Sequence, residues 1–430
     1  MHRPNVAVIL ALAGIGAVQA GPAATPTFSK DVAPILYRNC ATCHRPGDIA
    51  PMALLTYEQA RPWAKSIREK ISLGQMPPWH ADAPRGVFSN DRRLSDADKE
   101  TLIRWASAGA PEGNPKDRPA QPQFTEGWEI GTPDVVSSIP KDYEVPATGT
   151  IHYQYFTVPT NFTDDKWVRA IEVRPGERSV VHHVLVFCRE PNAPVRPAAF
   201  VPIVPEPPAA ARQQGPQQGR QEGLGRGALI ATTAPGTNAM TFEPGTAMRV
   251  GAGAVLTFQI HYTANGKAAS DRTSVGMIFA KEPPRQEIRN SAFVNATFSL
   301  PAGASDKAVD SAIQFNEDSH IWALFPHTHL RGKSWEYRLV YPDGRSEVVL
   351  SVPKYDFNWQ TYYVFAKPLA VPKGSRLEAT AHYDNSAGNP WNPDPKVDVR
   401  WGEQTWQEMQ YSGITYSVDE ARAPATTAEK

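Results

Sequence analysis

Cys40-Ala41-Thr42-Cys43-His44 places two thiols three residues apart with an imidazole directly after the second. Thiols at that spacing can form thioethers to both vinyl groups of a haem, and the following histidine then falls under the iron as an axial ligand. A redox dithiol uses the same pair of cysteines, but it has no need of the adjoining histidine. A one-electron haem carrier takes a second axial ligand, and a methionine there raises its potential. Met76, in Gly74-Gln75-Met76-Pro77-Pro78-Trp79, follows a helical pattern and precedes prolines rigid enough to hold a thioether in place. Met52 and His80 compete for the same role.

Five of the eleven histidines fall in three short, apolar-flanked stretches. His182-His183 sits in Val-Val-His-His-Val-Leu-Val-Phe, His261 in Leu-Thr-Phe-Gln-Ile-His-Tyr-Thr, and His327 and His329 in Phe-Pro-His-Thr-His-Leu. Side chains alternate along a strand, so His327 and His329 share a face and can chelate one ion. His182 and His183 point to opposite faces of a regular strand. They can share an ion only at a bulge or a strand end. A single strand histidine is usually a hydrogen-bonded core residue, but three buried stretches each need a partner for an imidazole.

These residues have to be positioned by a chain that changes texture along its length. The stretch 21–118 reads as helical. Ser29 is placed to cap a helix whose Val32, Ile35 and Leu36 share a face. Thr56 with Gln59 has the form of a capping box. Trp63, Ile67 and Ile71 recur at helical spacing up to Gly74, and Ser95 with Asp98 opens a helix carrying Leu102, Ile103 and Trp105. From about Gln121 the pattern becomes short strands, among them Trp167–Val173, Val180–Phe187, Val255–Tyr262, Ile321–Phe325, Tyr337–Tyr341 and Arg376–Tyr383. Pro342-Asp343-Gly344 is a turn between two of them. Many strands at short intervals indicate β-sandwiches. The 41 prolines, about double the usual share, fit loops and sheet edges better than an all-helical protein. The stretch 190–227, rich in Pro, Ala, Gln, Gly and Arg, reads as an excursion outside the core.

Of the 430 residues, 44 are Lys or Arg and 44 are Asp or Glu, so the chain carries no basic footprint for nucleic acid. Residues 1–20 have the build of a secretory signal peptide: His2 and Arg3, an apolar run from Val6 to Val18, and Val18-Gln19-Ala20 as the cleavage site. The apolar run is too short to span a bilayer. The expectation is an exported protein, periplasmic or secreted, without a membrane span after cleavage. That is also the compartment of c-type haem attachment. Three cysteines make no disulfide scaffold, and Cys188 reads as a small buried hydrophobe.

The helical part resembles a small class I cytochrome c, with C-x-x-C-H near its start, a Met-Pro segment, and a closing helix opened by Leu-Ser-Asp-Ala-Asp. The β part, from about Ile151 to Ser417, resembles the copper type II, ascorbate-dependent monooxygenases, the family of dopamine β-monooxygenase and peptidylglycine α-hydroxylating monooxygenase. The resemblance rests on a His-His pair, a later Gln259-Ile260-His261-Tyr262, then His327-Thr328-His329-Leu330, then Glu408-Met409, in that order. It implies two jelly-roll-like β domains with one copper each. His182, His183 and His261 would hold the electron-storing copper, and His327, His329 and Met409 the one that meets dioxygen. A thioether beside two imidazoles favours Cu(I) over zinc, and sites with three protein ligands leave a position open for chemistry. Zinc is the main alternative metal.

The implied fold is multidomain: a signal peptide over 1–20, an all-α cytochrome c domain over 21–118, two all-β domains over 119–284 and 285–417, and a tail over 418–430. The implied activity is hydroxylation of a C–H bond of a small organic substrate with dioxygen. Electrons would be relayed through the haem from an external donor, an ascorbate-like reductant or another cytochrome. Two other readings stand beside it: a haem and copper electron-transfer or copper-binding protein with no organic substrate, and a cytochrome fused to an adhesion or sugar-binding sandwich whose histidines are structural. The chain departs from the peptide-processing relative, which has an arginine two residues before its His-x-His where Phe325 stands here. That makes a peptide carboxylate a poor substrate. The family's disulfides are absent as well. His152, His320 and His382 read as structural, Trp391, Trp401 and Trp406 as core or edge aromatics, and Gly251-Ala252-Gly253 as a turn. No Gly-x-Ser-x-Gly elbow or phosphate loop is present.

Overall fold

The computed structural model describes residues 24–48, 50–124, 127–191, 199–203, 227–234 and 239–419. The expected signal peptide and nearly all of the tail lie outside them. The chain is mostly β-sandwich, preceded by a small helical unit with its own core. Among the described residues, no helix is long and apolar enough to cross a membrane.

The helical unit contains Ala33–Asn39, Tyr57–Ala60, Ala64–Ser72 and Asp96–Ser107, with shorter turns between them. Phe28, Leu36, Leu102 and Trp105 are wholly buried in its centre. The Thr56–Gln59 capping box is present, and the Ser95 hydroxyl accepts from Asp98 N. Ser29 departs from expectation. It is buried inside an opening turn, Phe28–Val32, whose cap position is Thr27.

Two sandwiches follow. The first packs a four-stranded sheet, in the order Gln154–Pro159, Val255–Tyr262, Val181–Arg189 and Ala228–Thr233, against one half of a nine-stranded sheet. The second packs a five-stranded sheet against the other half. The nine-stranded sheet is continuous because Thr246–Val250 of the first sandwich pairs in parallel with Gln286–Val294 of the second. The two expected β domains therefore share one backbone ladder.

Strands with one face on a core alternate in burial, as Gly332–Val340 and Arg376–Tyr383 do. Val181–Arg189 and Ser319–His327 are buried almost throughout. Each has its own core on one side and the opposite sandwich on the other, and between them Leu185, Leu229, Ala323, Phe325 and Tyr362 form a separate apolar cluster.

Two segments lie where their local composition does not place them. Residues 79–90, inside the stretch read as helical, run along the second sandwich. Asp82 N donates to Ser351 O, Ser89 N to Val364 O, and Ala366 N to Val87 O. Trp79 and Phe88 join that sandwich's core against Tyr363 and Phe365. Pro77 and Pro78 stop any helix, and each large side chain gains about 1.5–3 kcal/mol by burial. Phe200–Ile203, inside the low-complexity stretch, pairs with Ala312–Phe315 as an edge strand of the five-stranded sheet. Pro202 lacks a donor, which an edge tolerates. Phe200 packs on Phe315 and Tyr416 and so fastens this part of the excursion to the edge of the core, while Val201 and Ile203 stay exposed.

Candidate metal centres

His182, His183 and His261 converge, with their ligand nitrogens within 4.8 Å of one another. His261 lies opposite His183 across the ladder, and the next pair is Tyr262 with Val181, so His182 is the extra residue of a bulge. The bulge turns two neighbouring imidazoles toward one point, which a regular strand forbids. His182 Nδ1 and His183 Nδ1 are 3.0 Å apart. That spacing suits two nitrogens that each bind one ion at about 2.0–2.1 Å. His261 Nδ1 is buried without a hydrogen-bond partner, an orphan that an ion would satisfy. The Tyr153 ring packs on His183 and His261.

His327 ends the strand Ser319–His327, and His329 follows two residues later. Their ring centroids are 5.2 Å apart, and both side chains are buried. Gln360 Oε1 lies 3.0 Å from His327 Nδ1, and the Gln407 carbonyl oxygen 3.1 Å from His329 Nδ1. Each acceptor holds a proton on Nδ1 and leaves Nε2 as the ligand atom. Met409 borders the same cavity as these two histidines. Behind them the buried Glu408 carboxylate accepts from the backbone N–H of His329, Arg331 and Met409 at 2.8, 2.6 and 3.2 Å. Burial pushes its carboxyl up to about 7, against those donors and the Arg331 charge.

Burial holds all five imidazoles below their ordinary pKa: His261 to about 3, His327 to about 4, and His182, His183 and His329 in the same direction. At neutral pH all five are uncharged, the form that binds metal. Unfolding returns them to about 6.5, so the unfolded chain takes up more protons below that pH. Their contribution to stability is complete above about pH 6.5 and is lost as the pH falls toward 4. Glu408 acts with the opposite sign between about 4.5 and 7, but it is one group against five. The melting temperature of metal-free protein is therefore expected to fall from pH 7 to pH 5 in a calorimetric series. A flat profile would contradict the burial of these rings.

A cavity of about 310 Å³ between the sandwiches is lined by His183 of the first group and by His327, His329 and Met409 of the second. Its walls are largely apolar, with Phe187, Leu229, Phe325, Trp401 and Tyr411 prominent, and among the described residues they include no lysine or arginine. Phe325 stacks between His327 and Tyr362. It fits because Gly413, opposite it on the next strand, has no side chain: a Cβ there would lie 2.9 Å from Phe325 Cβ. Trp401, read from sequence as a core or edge aromatic, lines the cavity. Trp391 is exposed, and Trp406 packs on His152. His320 and His382 pair with Asp419 and Asp306 and belong to neither group.

At the helical unit's Cys-x-x-Cys-His, the N–H groups of Cys43 and His44 both donate to Cys40 O, closing a turn that gathers the three side chains. Both thiols are free. Burial raises Cys40 to about 12 and raises Cys43 as well, so each sulfur is uncharged, as a thioether is. His44 Nδ1 lies 3.1 Å from the Met52 carbonyl oxygen, which leaves Nε2 for a metal. These features fit a covalently held haem. The Met52 carbonyl thus lies on the side of the imidazole away from Nε2, and the Met52 side chain packs against the core of the helical unit. His80 is drawn toward the second sandwich, where the Asp356 charge opposes the lowering of its pKa by burial. Met76, half-buried, begins the segment that joins the helical unit to that sandwich.

Phe357, Gln360 and Tyr153 belong to no pattern that sequence reading singled out. Each is an isolated residue without a spacing signal.

No protein-family model matches this chain, and no curated protein sequence matches it. Solved structures similar to parts of it include the major capsid protein P2 of bacteriophage PM2, at 10% identity and a TM-score of 0.26, covering 67% of this chain and 99% of that one. Infectious bursal disease virus, Gx strain, is similar at 10% identity and 0.20, covering 70% and 76%. The Sputnik virophage is similar at 9% identity and 0.19, covering 69% and 88%. At these scores the overlaps bear on no activity of this chain.

Proposed function

We propose that the protein is a copper-dependent monooxygenase that hydroxylates a small apolar substrate, with electrons delivered through its own c-type haem. The observation that carries this reading is a cluster of three imidazoles, His182, His183 and His261, beside a cavity that His183 shares with His327, His329 and the thioether of Met409. His182, His183 and His261 would hold one copper, and His327, His329 and Met409 the other. Cys40, Cys43 and His44 would hold the haem, with Met76 as its second axial ligand. Copper in such sites would supply one-electron storage and activation of dioxygen.

The chain's own residues do the remaining work. Gln360 and the Gln407 carbonyl fix the orientation of the His327 and His329 rings. Glu408 ties the backbone of His329 to that of Met409, so two distant segments form one site. Phe187, Leu229, Phe325 and Trp401 exclude water and favour an apolar or aromatic substrate. Overall, substrate C–H, dioxygen, two electrons and two protons give the alcohol and water. Two one-electron stores and a haem match that demand. A copper electron carrier has no use for a substrate-sized cavity, which favours the enzyme over that reading.

The test is metal content by mass spectrometry on exported, haem-matured protein that has been loaded with copper and desalted, followed by oxygen uptake against a panel of small aromatic compounds. The expected result is one iron and two coppers per chain, with one hydroxylated product per dioxygen consumed. One iron with no retained copper would refute the enzyme reading.

A further inference from the structure

We propose that Phe357 is a positioning residue that sets the separation of the two metal sites, so that an electron passes from one to the other over a fixed distance. This rests on the reading of both histidine groups as metal sites.

The Phe357 ring touches both groups. Its centroid lies 5.8 Å from His182, with the planes nearly parallel, 6.2 Å from His183 and 6.5 Å from His261. His329 meets the same ring at 5.9 Å, the planes nearly perpendicular. The distances to His182 and His329 together cap the separation of those two rings, so one aromatic side chain reaches both groups. The residue is buried.

The loop that carries Phe357 is tied to the two-histidine group on both flanks. Tyr355 donates its hydroxyl to the Thr328 carbonyl at 3.0 Å, and Thr328 N lies 3.3 Å from the same hydroxyl oxygen. Thr328 is the residue between His327 and His329. Gln360 Nε2 donates to the Phe357 carbonyl, while Gln360 Oε1 faces His327 Nδ1. The ring is thus mounted on the second sandwich and pressed onto the bulge of the first. The parallel pairing of Thr246–Val250 with Gln286–Val294 holds the two sandwiches in register around it. His80, on the segment arriving from the helical unit, is influenced by Asp356, the residue before Phe357.

His182, His183 and His261 would hold the ion that gives up one electron, and His327, His329 and Met409 the ion that gains it; no bond would break, and an external one-electron donor would restore the first ion. The part played by Phe357 is to hold the two sets of ligands at one separation.

The experiment compares full-length, haem-containing, copper-loaded protein with Phe357→Ala and Phe357→Leu. Leucine keeps most of the apolar volume without the ring. Pulsed electron paramagnetic resonance of the oxidised proteins reads the dipolar coupling between two Cu(II) ions, and metal analysis confirms both are present. The expected result is a short, narrow distance distribution in the unaltered protein and a longer, broader one in Phe357→Ala, with Phe357→Leu between them. Product per dioxygen should fall and hydrogen peroxide appear in the alanine variant, because the second electron arrives late. An unchanged distance distribution in Phe357→Ala with both coppers bound would overturn the proposal. If the unaltered protein retained no copper, the metal-site reading itself would fail, and this inference with it.

Discussion

His327→Ala is expected to lower the copper content of the protein from two ions per chain to one while leaving the haem absorption bands unchanged. His327 is buried and held neutral, with its Nδ1 facing Gln360. Without it, the second group retains one imidazole and one thioether, too few donors to hold copper through desalting. The first group lies across Phe357 on the other sandwich and keeps its three imidazoles. Loss of a partner that only orients a ligand costs about 10–100-fold in affinity or activity. Loss of the ligand itself should therefore reduce substrate-dependent oxygen uptake by at least about 100-fold. Gln360→Ala should fall in the lower band, with both coppers bound but one more weakly. Metal analysis and an oxygen electrode decide both cases. Two tightly held coppers in His327→Ala would remove this residue from the site.

The second large effect is expected at Glu408. Its two carboxylate oxygens accept three backbone N–H groups, two of them from metal-ligand candidates on separate segments. Glu408→Ala leaves those donors facing an apolar void. An unmet buried donor costs about 1–3 kcal/mol, so a total loss of about 3–5 kcal/mol follows even after partial relaxation. That is well above the cost of an ordinary substitution. Glu408→Gln keeps the volume and one acceptor oxygen, but it turns an amide N–H₂ toward a backbone donor and should lose roughly half as much. Guanidinium denaturation of metal-free protein measures both losses. The alanine variant should also lose the copper of the second group, since His329 and Met409 are no longer tied together. A loss below about 1 kcal/mol would mean that water replaces the carboxylate without cost.

Much of this molecule is written in local patterns. The Cys40–His44 run is defined by sequence spacing alone, and its turn gathers Cys43 and His44 on the Cys40 carbonyl as that spacing allows. The capping box at Thr56 and Gln59 and the strands around the histidines follow from side-chain periodicity, which acts over a few residues. For the same reason the division into a helical part and two sandwiches was legible, as was the shared face of His327 and His329.

Tertiary structure decided what depends on residues far apart in the chain. His182 and His183 converge only because the strand carrying His261 and Tyr262 pairs with theirs through a bulge, and the bulge is set by that partner. Residues 79–90 fall inside the stretch read as helical and Phe200–Ile203 inside the low-complexity stretch, yet each lies on the second sandwich, where an apolar face and an open edge accept it. Phe357, in Lys-Tyr-Asp-Phe-Asn-Trp, shows no spacing that marks it, and its contact with both histidine groups exists only once the two sandwiches close on each other. Periodicity reports which face of an element is buried, but it holds no information on which distant surface buries it.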